Sequence, residues 1–130
     1  MKRLERYMPI AIDVVEDLIL HKYDSVDAEW DNLVSKFGIL VCQVGLMPAI
    51  AKYNKVSKAS KISNILLTHC LLRIILTDEC TPCNANDTLY DWCKANKSNP
   101  LIKSKILDAS IALKLAFRLF IINVNDDTYD

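Results

Sequence analysis

The sequence predicts an all-α fold, a single compact bundle of five to six helices, and three observations point there. The 130 residues are 52% hydrophobic, rich in Leu, Ile, Ala and Lys, and hold only two glycines, a composition poor in the turn residues of a β-fold. Apolar positions recur at spacings of three and four along most of the chain, the period of an amphipathic helix. No two alternating apolar runs are joined by a hairpin signal. The length suits one domain over residues 1–125, followed by an acidic flexible tail at 126–130.

Taken in order, residues 3–21 place Leu4, Met8, Ala11, Val15 and Leu18 on one stripe, with Pro9 either starting or bending the helix. A second helix is expected from Ser25, its N-cap, with Trp30, Leu33, Phe37 and Leu40 on one face. Gly45 should end it in a left-handed conformation. A short third helix follows at once, with Pro48 in its first turn, and runs to about Asn54. Residues 56–60 make a polar joint. Residues 61–77 are apolar at ten of seventeen positions, so this helix should be largely enclosed. "DECTPCNAND" reads as loop, and "TLYDWCKAN" as a short helix capped by Asp87 or Thr88. The last helix, 101–122, buries Ile102, Ile106, Ala109, Leu113, Ala116 and Phe120.

The chemistry-bearing residues point away from catalysis. Five cysteines, without an export signal, read as reduced thiols. Cys80 and Cys83 have the redox C-x-x-C spacing but lack the preceding strand and following helix that such a site needs. Zinc held by Cys80 and Cys83 with Cys93 and Cys70 or His69 is an alternative, although no second C-x-x-C completes it. His21 suits a helix C-terminus, and His69 suits a packed position. The acidic residues near 13–17 and 24–31 read as solvated faces, and no nucleotide-binding loop or hydrolase motif occurs. We therefore expect no enzyme, no cofactor, no metal and no small-molecule substrate. The uncharged run Phe37–Ala51 is too short and broken to span a membrane, and the protein is read as cytoplasmic.

Net charge is zero but unevenly laid out. Residues 1–31 sum to −4, residues 32–77 to +6 with no acid, 78–91 to −4, 92–125 to +5 and 126–130 to −3. Such blocks either make a basic face for polyanions or cancel between neighbouring helices. Lys52, Lys55, Lys58 and Lys61 recur every third residue among Asn54, Ser57, Ser60, Ser63 and Asn64, a mix suited to phosphate contact. Lys103, Lys114 and Arg118 fall within a narrow arc of the last helix. With Tyr53 as the sole aromatic nearby, base stacking should be minor, and the basic residues read either as contact with a nucleic-acid backbone without sequence readout or as a solvated face.

The stretch "LVSKFGILVCQVGLMPAIAKYNK" resembles the small helical subunit of type III-B (Cmr) CRISPR effector complexes. The match lies in Gly45 and Leu46, followed by Ala49, Ala51, Tyr53 and Lys55, and in the final "ASIALKLAFRLF". Gly38 stands where that family often has proline, Val44 where it often has asparagine, and Phe117 where it often has tryptophan. The resemblance implies that Gly45 is a tight structural corner with Leu46 plugging the core beneath it, and that Gly38 permits close helix approach or a bend. It implies a non-catalytic subunit that lines a backbone filament beside copies of itself and other subunits and touches guide–target RNA. The alternatives are a helical protein–protein adaptor that binds no nucleic acid, and a small thiol or zinc protein built on Cys80 and Cys83.

Overall fold

The periodic apolar positions fold as helices along most of the chain that the structure, a computed structural model, describes: residues 2–54 and 64–126. Among these residues there are six α-helices, a π-helical turn and no strand. They are α1 (Arg3–Val14), the π turn (Val15–Ile19), α2 (Trp30–Val44), α3 (Leu46–Tyr53), α4 (Asn64–Asp78), α5 (Leu89–Ala95) and α6 (Ile102–Asp126). One apolar core receives side chains from all of them. Helix α6 packs on α1, α2 and α4, while α3 packs on α2, α4 and α5. None of the described helices is long and apolar enough to cross a membrane.

Helix α1 runs through Pro9 rather than starting at it. Proline removes the donor that the Glu5 carbonyl would take, but Glu5 and Pro9 both lie on the exposed side of the helix. The next turn widens: the Leu20 N–H reaches the Val15 carbonyl at 3.0 Å, an i→i+5 bond. Val14, Val15 and Ile19 enter the core from this region.

Helix α2 starts at Trp30, five residues beyond the expected cap at Ser25. Asp27 makes the entry instead, its carboxylate accepting from the Glu29 N–H at 2.9 Å. Its carbonyl accepts from Trp30 N–H at 3.1 Å, an Asx-type turn that competes well with a serine cap. The buried face is Trp30, Val34, Phe37 and Val41, with Leu33 and Leu40 half-buried at its edge. Both sets share Trp30 and Phe37, and spacing alone does not separate them.

Gly45 ends α2 as expected, though not in the left-handed helical region. Its φ of +97° and ψ of 165° lie in extended backbone of positive φ, a region essentially reserved for glycine. The α3 helix begins at the next residue, with Pro48 in its first turn. Ala49 and Ile50 are the side chains buried beneath the corner, while Leu46 is half-buried and packs at the rim, so Leu46 is not the plug. Gly38 is not a close-approach glycine either: a Cβ built there meets nothing within 4 Å.

Helix α4 is the most enclosed, burying Leu67, Cys70, Leu71, Leu72, Ile74 and Ile75. Thr88 caps α5, its hydroxyl accepting from Asp91 N–H at 3.1 Å. Helix α6 buries Ile102, Ile106, Ala109, Leu113, Ala116 and Phe117, and Phe120 is only partly covered. It continues to Asp126, into the segment expected to be a tail. The rest of that tail, 127–130, and the polar joint at 56–60 lie outside the described residues.

The two glycines should respond oppositely to alanine. Gly45→Ala meets only Pro48 Cδ at 3.9 Å, so its cost is the backbone strain of positive φ, about 1–3 kcal/mol. Gly38→Ala has open space and ordinary helical geometry and should stabilise by about 0.5–1 kcal/mol. Urea denaturation of the two variants checks both signs.

Candidate nucleic-acid interface

A basic face requires cations left unpaired once the helices have packed, and here many are taken. Arg118 Nε lies 3.2 Å from the Asp31 carboxylate, and Arg73 lies 3.3 Å from Asp17. Arg6 pairs with Asp78 at 3.0 Å, Lys105 with Glu79 at 3.3 Å and Arg3 with Asp108 at 3.1 Å. The blocks of like charge in the sequence therefore cancel in part across helix pairs. Asp31 is mostly covered, its side chain 13% accessible, so Arg118 is held as its counterion. A phosphate could recruit Arg118 only by stripping Asp31 of that partner.

The other candidates fare differently. Lys52 is exposed in the last turn of α3, Lys103 is exposed in the first turn of α6, and Lys114 is half-buried on α6. Among the described residues no carboxylate pairs with these three. Lys55, Lys58 and Lys61, with Ser57, Ser60 and Ser63, lie outside the described residues. Lys52 belongs to the α2–Gly45–α3 hairpin and the other two to α6, and the structure does not gather them into one described patch. The single aromatic near Lys52 is also unavailable. Tyr53 is 8% exposed, stacks edge-on against Phe37 at 5.0 Å, and donates its hydroxyl to the Leu33 carbonyl at 3.4 Å. Base stacking has no platform at the corner.

The thiols and histidines take structural places. His69 Nδ1 lies 2.9 Å from the Asp87 carbonyl, so the proton sits on Nδ1 and the ring ties the loop before α5 to α4. His21 lies in the turn after the π segment, its Nε2 4.0 Å from Asp17. All five cysteines are free. Among the described residues no three His, Cys, Asp or Glu side chains converge as a metal site, so the zinc alternative raised for Cys80 and Cys83 does not assemble from these positions. Burial pushes the Cys70 and Cys93 thiols up to about 12. Burial, with help from Asp87, also raises Cys83.

Cys80 holds a place that its spacing to Cys83 does not reveal. Its φ is +55°, the Cys80 N–H bonds the Thr77 carbonyl at 3.1 Å, and the Thr81 N–H bonds the Leu76 carbonyl at 2.8 Å. This pair of bonds is the Schellman ending of α4, with cysteine at the position normally given to glycine. Comparison with known protein families, with curated proteins and with solved structures finds no match.

Cys80→Gly should stabilise the protein by about 1 kcal/mol, since a left-handed residue with a Cβ costs roughly 1–2 kcal/mol. Replacing Cys80 and Cys83 together by serine should change stability by less than about 0.5 kcal/mol, because serine keeps the same strain. Thiol labelling at pH 8 should modify the exposed Cys42 and Cys80 at once and reach Cys70 and Cys93 only on unfolding. Because the folded thiols at positions 70 and 93 ionise near 12 rather than 9, stability should be full below pH 9 and fall as pH rises toward 12, where the unfolded state alone gives up these protons.

Proposed function

We propose that this chain is a non-catalytic small subunit of a type III-B CRISPR-like ribonucleoprotein effector, working in the cytoplasm beside copies of itself and other subunits. It would hold guide–target RNA through phosphate contacts. The observation that carries this reading is the α2–Gly45–α3 hairpin. A helix ends at a glycine of φ +97° and the next helix starts one residue later, at the residues where the resemblance to that family lies. The hairpin presents Lys52 at its open end, directly before the lysine and serine series in the sequence. Lys103 and Lys114 on α6 form a secondary set, and Arg118 is assigned to Asp31 instead.

A second reading, a helical adaptor that binds no nucleic acid, draws on Ile39 and Ile111, large apolar side chains 56% and 44% exposed. Salt separates the two, because phosphate neutralisation weakens steeply with salt and apolar docking does not.

Single-stranded RNA titrated with the isolated chain should bind weakly and without sequence preference, on the order of 10⁻⁴–10⁻⁶ M. Reversing Lys52, Lys55 and Lys58 to Glu should lower the salt slope of binding by about 2, roughly 0.7 for each phosphate no longer neutralised on a single strand. In the assembled particle, where neighbouring copies act through effective concentration, the same variant should retain less RNA. Circular dichroism should stay helical. Unchanged RNA binding by this variant and by Lys103→Glu with Lys114→Glu would leave the adaptor reading standing.

A further inference from the structure

Helices α2 and α6 run antiparallel, as the Asp31–Arg118 ion pair and the Trp30–Phe117 ring contact at 6.0 Å mark the same end of both. Beyond that end the helices leave an open groove of about 480 Å³. One wall is Val34, Ile39 and Cys42 with Gly38 between them, and the other is Leu107 and Ile111. Ile39 and Ile111 face water across it, 56% and 44% exposed. Large apolar side chains gathered along one groove mark an interaction surface more often than isolated ones do.

Gly38 gives the groove its depth. It sits inside a helix, where glycine is disfavoured by about 1 kcal/mol, and neither a close neighbour nor a positive φ requires it. The missing side chain leaves a notch in the α2 wall. The dimensions are those of a helix. From Val34 to Gln43 the α2 wall rises nine helical steps, about 13 Å, and from Leu107 to Lys114 the α6 wall rises seven, about 10 Å. Three side chains at i, i+4 and i+7 of a docked helix cover about 10 Å.

Charge selects the occupant. Among the described residues Lys114 lines the groove and no carboxylate does. Helical spacing puts Lys103 on the same edge of α6 and Lys36 on the outer edge of α2 beside Ile39 and Gln43. Asp31, at the end of the groove, is already neutralised by Arg118. We propose that the α2–α6 groove docks an amphipathic helix of another protein, with an apolar ridge that fills the Gly38 notch and acidic residues along its edge. This goes beyond RNA contact, since the walls of the groove are chiefly apolar and its cations lie at the edge.

The test uses the full chain and two synthetic helical peptides of identical apolar ridge, one flanked by Glu and its twin flanked by Lys, followed by fluorescence anisotropy. The Glu peptide should saturate at least tenfold more tightly than its twin. Gly38→Leu, which fills the notch, and Lys114→Glu should each weaken it at least tenfold while circular dichroism shows the same helical fold. If Gly38→Leu disturbs folding, Ile111→Asp at an exposed position replaces it with the same expected loss. Equal affinity for the two peptides, or no saturable binding, would overturn the proposal. So would a concentration-dependent dimer that Gly38→Leu abolishes, since a second copy would then own the groove.

Discussion

The positive φ of Gly45 is the constraint on which the α2–α3 end of the molecule depends. It lets α3 turn away from α2 within one residue, so that Tyr53 folds back onto Phe37 and its hydroxyl finds the Leu33 carbonyl. These contacts lock a two-helix hairpin whose buried side is Ala49, Ile50 and Tyr53 and whose open end carries Lys52. A residue with a Cβ at position 45 would strain that corner, and everything displayed by α3 would shift with it.

Electrostatics ties together what the core leaves at the periphery. Cations on α1, α4 and α6 face acids from elsewhere in the chain, and each pair joins parts of the chain far apart in sequence. Exposed pairs of this kind contribute little individually, and their larger effect is selection. They remove Arg73 and Arg118 from the positive surface and leave Lys52 on α3 and lysines at the edges of the α2–α6 groove. A chain of zero net charge thus keeps local positive character at Lys52 and at the edges of the α2–α6 groove.

The helical class, the corner at Gly45, the cap at Thr88 and the enclosed fourth helix were legible, because glycine, caps and apolar period act locally. The misses have physical causes. Ser25 lost to Asp27 because a carboxylate two residues before a backbone N–H closes a tighter turn than spacing reveals. Leu33 and Leu40 gave way to Val34 and Val41, since a helix with apolar residues on both sides of its stripe is oriented by its neighbours, here α3 and α6. Arg118 looked like a free cation because its partner, Asp31, is eighty-seven positions away. Cys80 gave no sign of its strained backbone, which glycine would have announced. The groove lay hidden because it exists only where two distant helices meet, although Gly38 was its visible trace.

The π turn between Val15 and Ile19 carries a consequence for how the chain can change length. A widened turn holds one residue more than the regular helix needs, and here the surplus sits beside Glu16 and Asp17 on the outer side. Deleting one outward residue restores the i→i+4 pattern while the downstream residues keep their angular positions around the axis. The π turn thus marks where the N-terminal helix could lose one outward residue and keep the register of its flanking turns, which a regular helix of the same length would not allow.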